Sequence, residues 1–190
     1  MINILKPIKI YGSWDEGIVL DNHMLKSVFI GYDNNQKEVF ENTRTEIGEL
    51  VYQYKYHKKK ECLNDIMKLI KGVLDTWCVK EKIDIVIPVP PSKKKREYQP
   101  VVEIAKEISK YLNKNCKLGI LYKTSNIQAK DGHSIEGSII SMCKNEKLGN
   151  VLIVDDLFST GATLNEVCKV LRRNNNVNKI YCLVLTKTKG

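Results

Sequence analysis

The chain has 190 residues, 43% of them hydrophobic and 28% charged, a globular composition that excludes a disordered or fibrous polypeptide and suits a single domain. No apolar run approaches the roughly 18 residues of a membrane span, and Met1–Pro7 lacks the basic-then-apolar order of a secretory signal, so no membrane partner is expected and the expected compartment is cytoplasmic. The formal net charge is +9, gathered at Lys55–Lys60, Lys93–Arg96 and Arg172–Arg173, and it favours anionic partners: phosphorylated small molecules or nucleic acid.

In chain order, Ile8–Tyr11, Gly17–Leu20, Lys26–Tyr32 and Lys37–Phe40 are short, partly alternating segments punctuated by Gly12, Gly17, Gly31 and Asp33-Asn34-Asn35. They predict a small antiparallel sheet with a hairpin turn at Asp33–Gln36, and Trp14, Phe29, Tyr32 and Phe40 are expected to pack in its core. Thr43 or Thr45 is placed to cap a helix to about Tyr56, with Ile47, Leu50, Val51 and Tyr54 on one face. Residues 1–45 thus read as a β-rich piece packed on an α/β domain of residues 46–190.

From Glu61 the pattern alternates helix and strand. Leu63, Ile66, Met67, Ile70, Val73, Leu74 and Trp77 recur at helical spacing, and Ile83–Val89 is an apolar run suited to a buried parallel strand. Val101, Ile104, Ala105, Ile108 and Leu112 mark a second helix, and Leu118–Leu121 a short strand. Residues 122–149 read as a long, weakly patterned connection. Val151–Val154 is a strand, Leu164, Val167, Cys168 and Leu171 a helical stripe, and Ile180–Leu185 a last strand. The expected fold class is α/β, a doubly wound, mostly parallel sheet. Six cysteines at 62, 78, 116, 143, 168 and 182 contain no Cys-x-x-Cys pair, so they read as reduced core residues and not as zinc or redox ligands.

Open parallel sheets bind ligands at the carboxyl ends of their strands, and two such ends are unusual here. After the apolar tetrad Val151–Val154 come Asp155-Asp156-Leu157-Phe158-Ser159-Thr160-Gly161-Ala162-Thr163. Backbone N–H groups of Thr160, Gly161, Ala162 and Thr163 at a helix start, with the hydroxyls of Ser159 and Thr160, suit a phosphate, and Gly161 permits close backbone approach. Asp155 and Asp156 suit hydroxyls or a hydrated Mg²⁺. Together they spell a sugar 5-phosphate. The second end, Pro88-Val89-Pro90-Pro91-Ser92-Lys93-Lys94-Lys95-Arg96, is basic, and a guanidinium at Arg96 could hold phosphate bidentately.

Residues 151–163 resemble the phosphoribosyl-pyrophosphate (PRPP) motif of type I phosphoribosyltransferases. The resemblance implies that Asp155 and Asp156 hold the ribose and act as the catalytic carboxylates, reaching Mg²⁺ indirectly through water or hydroxyls, while Ser159–Thr163 hold the 5-phosphate. Pro88–Arg96 is similar to the Pro-Val-Pro stretch of ComF-like (competence protein) members, which implies pyrophosphate contacts from Pro90, Pro91, Ser92, Lys93 and Arg96. Lys55-Tyr56 resembles a Lys-Tyr pair of the same branch. Thr124–Lys130 resembles the mobile loop that closes over PRPP, which implies a pyrophosphate contact from Lys130.

Two departures qualify the resemblance. The four-cysteine zinc module of many ComF proteins is absent, and residues 1–45 stand where a variable hood selects the acceptor. Ser159 replaces the acid that 6-oxopurine enzymes carry before Thr-Gly, which disfavours hypoxanthine or guanine as acceptor. The implied activity is transfer of the 5-phosphoribosyl group to an unidentified nitrogen nucleophile with release of pyrophosphate, within nucleotide metabolism. The alternative is a non-catalytic PRPP- or nucleotide-binding protein acting in DNA uptake or another nucleic-acid process, and a homodimer stays open as a partner state.

Overall fold

The computed structural model of the chain describes residues 5, 7–91, 98–124, 137–141 and 146–188. In chain order its elements are β1 (Ile8–Lys9), β2 (Glu16–Asn22), β3 (Met24–Tyr32), β4 (Glu38–Arg44), α1 (Glu46–Tyr56), α2 (Cys62–Thr76), β5 (Ile85–Pro88), α3 (Pro100–Leu112), β6 (Asn115–Cys116), β7 (Leu121–Lys123), β8 (Ile139–Ser141), β9 (Gly149–Phe158), α4 (Ala162–Leu171) and β10 (Val177–Lys187). A six-stranded sheet has the order β1-β2-β10-β9-β5-β6, all parallel except β1 at its edge.

Strand alternation explains the layers. Val86, Leu152, Val154, Leu183 and Leu185 pack toward α1, α2 and α3, whereas Ile85, Ile87, Val151, Ile153, Cys182 and Val184 pack toward α4. Helices on both faces of a mostly parallel sheet make the α/β, doubly wound class that the alternation predicts. The apolar runs are continuous because both faces are covered.

The expected N-terminal sheet divides in two. Only β3 and β4 form a separate antiparallel hairpin, closed by Asp33, whose Oδ1 accepts the N–H groups of Asn35 at 2.7 Å and Lys37 at 2.9 Å. β2 instead lies parallel to β10 in the central sheet, because Ile18, Val19 and Leu20 are apolar on both faces and are fully enclosed there. Trp14 is buried as expected, but Phe29, Tyr32 and Phe40 are 47%, 62% and 43% exposed, in contact with one another on the hairpin. A two-stranded ribbon has no second layer to bury them.

Two other boundaries shift. Leu118–Leu121 is not a strand: β6 precedes it, and Gly119, at φ +72°, turns the chain away before β7. The connection 122–149 contains β8, which pairs antiparallel with β7.

Of the two capping candidates, Thr45 is the one used. Its Oγ1 accepts the Gly48 N–H at 3.0 Å and donates to the Asn22 carbonyl at 2.6 Å, tying α1 to the end of β2. Thr45→Ala removes both bonds at a site 3% exposed. A loss of about 1–2 kcal/mol is expected, a few degrees in a thermal melt.

Candidate functional site

β9 keeps its pairing with β10 as far as Phe158, so both carboxylates sit on strand backbone and not in a loop. Alternation sends Asp156 toward α1 and Asp155 toward the α4 side. The Asp156 N–H donates to Asp155 Oδ1 at 2.8 Å, and Thr186 Oγ1 donates to the Asp156 carbonyl at 3.0 Å, fixing the strand end from both sides.

Ser159-Thr160-Gly161 then turns the chain into α4. Gly161 adopts φ +77°, and a Cβ there would stand 3.0 Å from Phe158 Cε2 and 3.6 Å from Trp14 Cη2. The turn thus rests on an aromatic floor, with the Trp14 and Phe158 rings edge-on at 6.3 Å. Gly161 caps α4 without a side chain, which leaves first-turn N–H groups for an outside acceptor. Thr160 Oγ1 accepts the Ala162 N–H at 3.3 Å.

These residues form one wall of a cavity of about 390 Å³. Beside them lie Val89–Pro91 beyond β5, where the Val89 N–H continues the ladder by donating to the Val154 carbonyl at 2.9 Å. The start of α3 at Gln99–Val102, the end of α1 at Lys55–Tyr56, and Lys123 of β7 complete the lining. Of the sequence-predicted residues, Asp155, Asp156, Ser159, Thr160, Gly161, Ala162, Thr163, Pro90 and Pro91 are therefore brought to one space. Ser92, Lys93, Arg96 and Lys130 lie outside the described residues.

The electrostatics are set by four groups. Lys55 Nζ donates to Asp156 Oδ2 in an ion pair whose side chains are 24% and 13% exposed. Burial works against the Lys55 ammonium, but the Asp156 charge and hydrogen bond outweigh it and hold its pKa above the usual lysine range. Lys123 goes the other way: burial dominates and lowers it, despite Asp155 and Asp156 nearby. Asp155 is pushed up to about 7, first by burial and then by the neighbouring Asp156 charge, with the Asp156 N–H, Lys55 and Lys123 opposing. A carboxylate held near neutrality in a cleft is a mark of a functional site.

The sequence marked Lys55 only through its resemblance pair with Tyr56 and the basic run Lys55–Lys60, not as a partner of Asp156, and did not single out Lys123. The signal for Lys55 was present: a helix predicted to end near Tyr56 leaves a lysine in its last turn, beside Tyr56. What brings it to Asp156 is a pairing across 101 residues.

The Phosphoribosyl transferase domain model matches residues 53–189, well over half of the chain. The chain belongs to the phosphoribosyltransferase family. This phosphoribosyltransferase chain is similar in structure to adenine phosphoribosyltransferase from Thermoanaerobacter pseudethanolicus, with 15% identity, coverage of 86% of this chain and 84% of that one, and a TM-score of 0.46. It is also similar to a second adenine phosphoribosyltransferase, with 13% identity, coverage of 85% and 86%, and a TM-score of 0.41. Among curated proteins none matches by sequence. No helix among the described residues is long and apolar enough to cross a membrane.

Proposed function

We propose that the cavity binds PRPP and that the protein transfers its 5-phosphoribosyl group to a nitrogen nucleophile, releasing pyrophosphate. One observation carries this reading: an unbroken run from Asp155 to Thr163 supplies hydroxyl acceptors and a helix start, capped by a glycine with no side chain, on the same cavity wall. Asp155 and Asp156 would accept the ribose hydroxyls, and the Ser159–Thr163 turn the 5-phosphate. Pro90 and Pro91 bring backbone to the cavity, where pyrophosphate would lie, and Ser92, Lys93, Arg96 and Lys130 are its further proposed contacts. Fixing both ends of one ligand aligns its anomeric carbon for attack, and enclosure would keep water from competing.

The donor set suits Mg²⁺ only indirectly, since Asp156 is already engaged by Lys55. Asp155 and Asp156 would reach the ion through water or ribose hydroxyls, and when bound it would add positive charge to the departing pyrophosphate. Asp155, with its pKa pushed up to about 7, is suited to exchange a proton near neutral pH at this site.

Within the family we favour the ComF-like branch, on the Pro88–Pro91 strand end and Lys55-Tyr56. We also place the protein in the cytoplasm, since all five described cysteines are unpaired. The acceptor is the part least marked by residues: the β3–β4 hairpin is our candidate hood, and Ser159, exposed beside Thr188, is no acid for a 6-oxopurine. The net charge of +9 favours a second reading, a nucleotide-binding protein that also engages nucleic acid.

A thermal-shift panel of PRPP, nucleoside monophosphates and free bases with Mg²⁺ tests the proposal. At about 100 times its Kd, PRPP stabilises the fold by about 2.7 kcal/mol, a clear rise in Tm. Pyrophosphate release in the presence of one base names the acceptor. An unchanged Tm with millimolar PRPP and Mg²⁺ overturns the reading. PRPP binding without turnover, together with DNA binding that weakens steeply with salt, selects the second.

A further inference from the structure

Among the described residues, the cavity is lined by two carboxylates, Asp155 and Asp156, and two ammonium groups, Lys55 and Lys123. The carboxylates are thus balanced from within the protein before any ligand arrives. Lys55 is the better placed of the two ammonium groups to change partners. It stands in the last turn of α1, reaches across to Asp156 on β9, and keeps 24% of its side chain exposed. The Tyr56 ring centroid lies 5.7 Å from Nζ, a further weak attraction for the ammonium when it turns from the carboxylate.

A ligand carrying ribose hydroxyls and a polyphosphate changes this balance twice. Hydroxyls arriving at Asp156 compete for the oxygen lone pairs that Lys55 now holds. The polyphosphate brings several negative charges into a half-buried space, where an uncompensated anion is strongly disfavoured. An ammonium on a four-carbon stem has three donors and can turn toward the new anion without leaving the cavity. A ribose 5-phosphate, by contrast, supplies the hydroxyls but only a neutral hydroxyl, and no anion, at the anomeric position for the displaced ammonium to bind.

We propose that Lys55 is a built-in counter-ion that passes from Asp156 to the pyrophosphate oxygens when PRPP enters, and so makes the site prefer PRPP to ribose 5-phosphate. This rests on the PRPP reading above and adds to it a specificity-determining residue. No bond is made or broken in the step, which is an exchange of hydrogen-bond partners within one cavity. A merely structural Lys55, clamping α1 to β9, would affect every ligand alike.

Calorimetry of the full-length protein with PRPP and with ribose 5-phosphate, both with Mg²⁺, separates these. Lys55→Met should weaken PRPP binding by about tenfold or more, the size of one charge-assisted hydrogen bond, and leave ribose 5-phosphate within about threefold or tighter. Lys55→Arg, which keeps the charge, should retain most of the preference, and Lys55→Gln provides a second neutral variant should the methionine variant fail to fold. Unchanged PRPP affinity in the neutral variants overturns the proposal, and so does an equal loss for both ligands. Failure of the wild-type protein to bind either ligand overturns the PRPP reading itself, whatever Lys55 does.

Discussion

Asp155→Asn combined with Asp156→Asn lowers PRPP affinity by about 100-fold or more while the protein still unfolds cooperatively. Each carboxylate offers strong, charged acceptors to a ribose hydroxyl, and an amide replaces them with a weaker acceptor and a misplaced donor. Two such losses in one half-buried site account for the size of the effect. The fold survives because opposing changes meet at the strand end. The Asp156→Asn change strips Lys55 of its charged partner, whereas Asp155→Asn relieves a carboxylate that burial and Asp156 already disfavour. Calorimetry and a melt on the same preparation check both halves, and wild-type affinity in the double variant removes the site from contention.

The single Asp155→Asn variant carries its own pH signature. The Asp155 pKa rises from 3.8 in the unfolded chain to about 7 in the folded one, so the folded state holds the proton more tightly. Its contribution to stability is complete below 3.8 and is lost as pH rises through about 7. The variant should therefore match wild type near pH 4 and exceed it above pH 7 by about 2 kcal/mol, since the coupled pair and partial solvation share the shift. An advantage that grew toward acid pH would reverse the assignment.

Gly161→Ala is the second large effect. Its φ of +77° lies in the left-handed region, where an L side chain adds about 1–2 kcal/mol. The new Cβ would also press to within 3.1 Å of two Phe158 ring carbons, whose ring is backed by Trp14. The turn must either strain or swing away from the cavity, and both outcomes displace the N–H groups at the start of α4. A destabilisation of about 2 kcal/mol and a loss of phosphate-ligand affinity beyond tenfold are expected, measured by denaturant unfolding and calorimetry. Wild-type affinity for PRPP in the alanine variant would show that the turn is not the phosphate's seat.

Local periodicity made most of the core legible. The stripes of α2 and α3 and the apolar runs of β5 and β9 signal their own burial, and Asp33-Asn34-Asn35 its own hairpin. β2 was misplaced because a run as short as Ile18-Val19-Leu20 carries no register: only pairing with β10, more than 150 residues away, reveals it as an inner strand. The same limit hid the pairing of Lys55 with Asp156. The Asp155–Thr163 run is contiguous, so its gathering at one cavity follows from local order, whereas Lys55, the partner of Asp156, comes from another helix. Pro90 and Pro91 follow directly on β5, so their place beside the cavity follows from the apolar run that precedes them.

The position of β2 has a consequence for how the molecule can be divided. The family match begins at residue 53, yet β10 is hydrogen-bonded along one side only by residues before it. A fragment trimmed to the matched stretch would leave β10 with an open flank along Tyr181–Lys187, largely apolar and able to recruit strands from neighbouring molecules. It would also lose Trp14 from beneath Gly161. The matched stretch and the length of chain that covers both sides of β10 are therefore different.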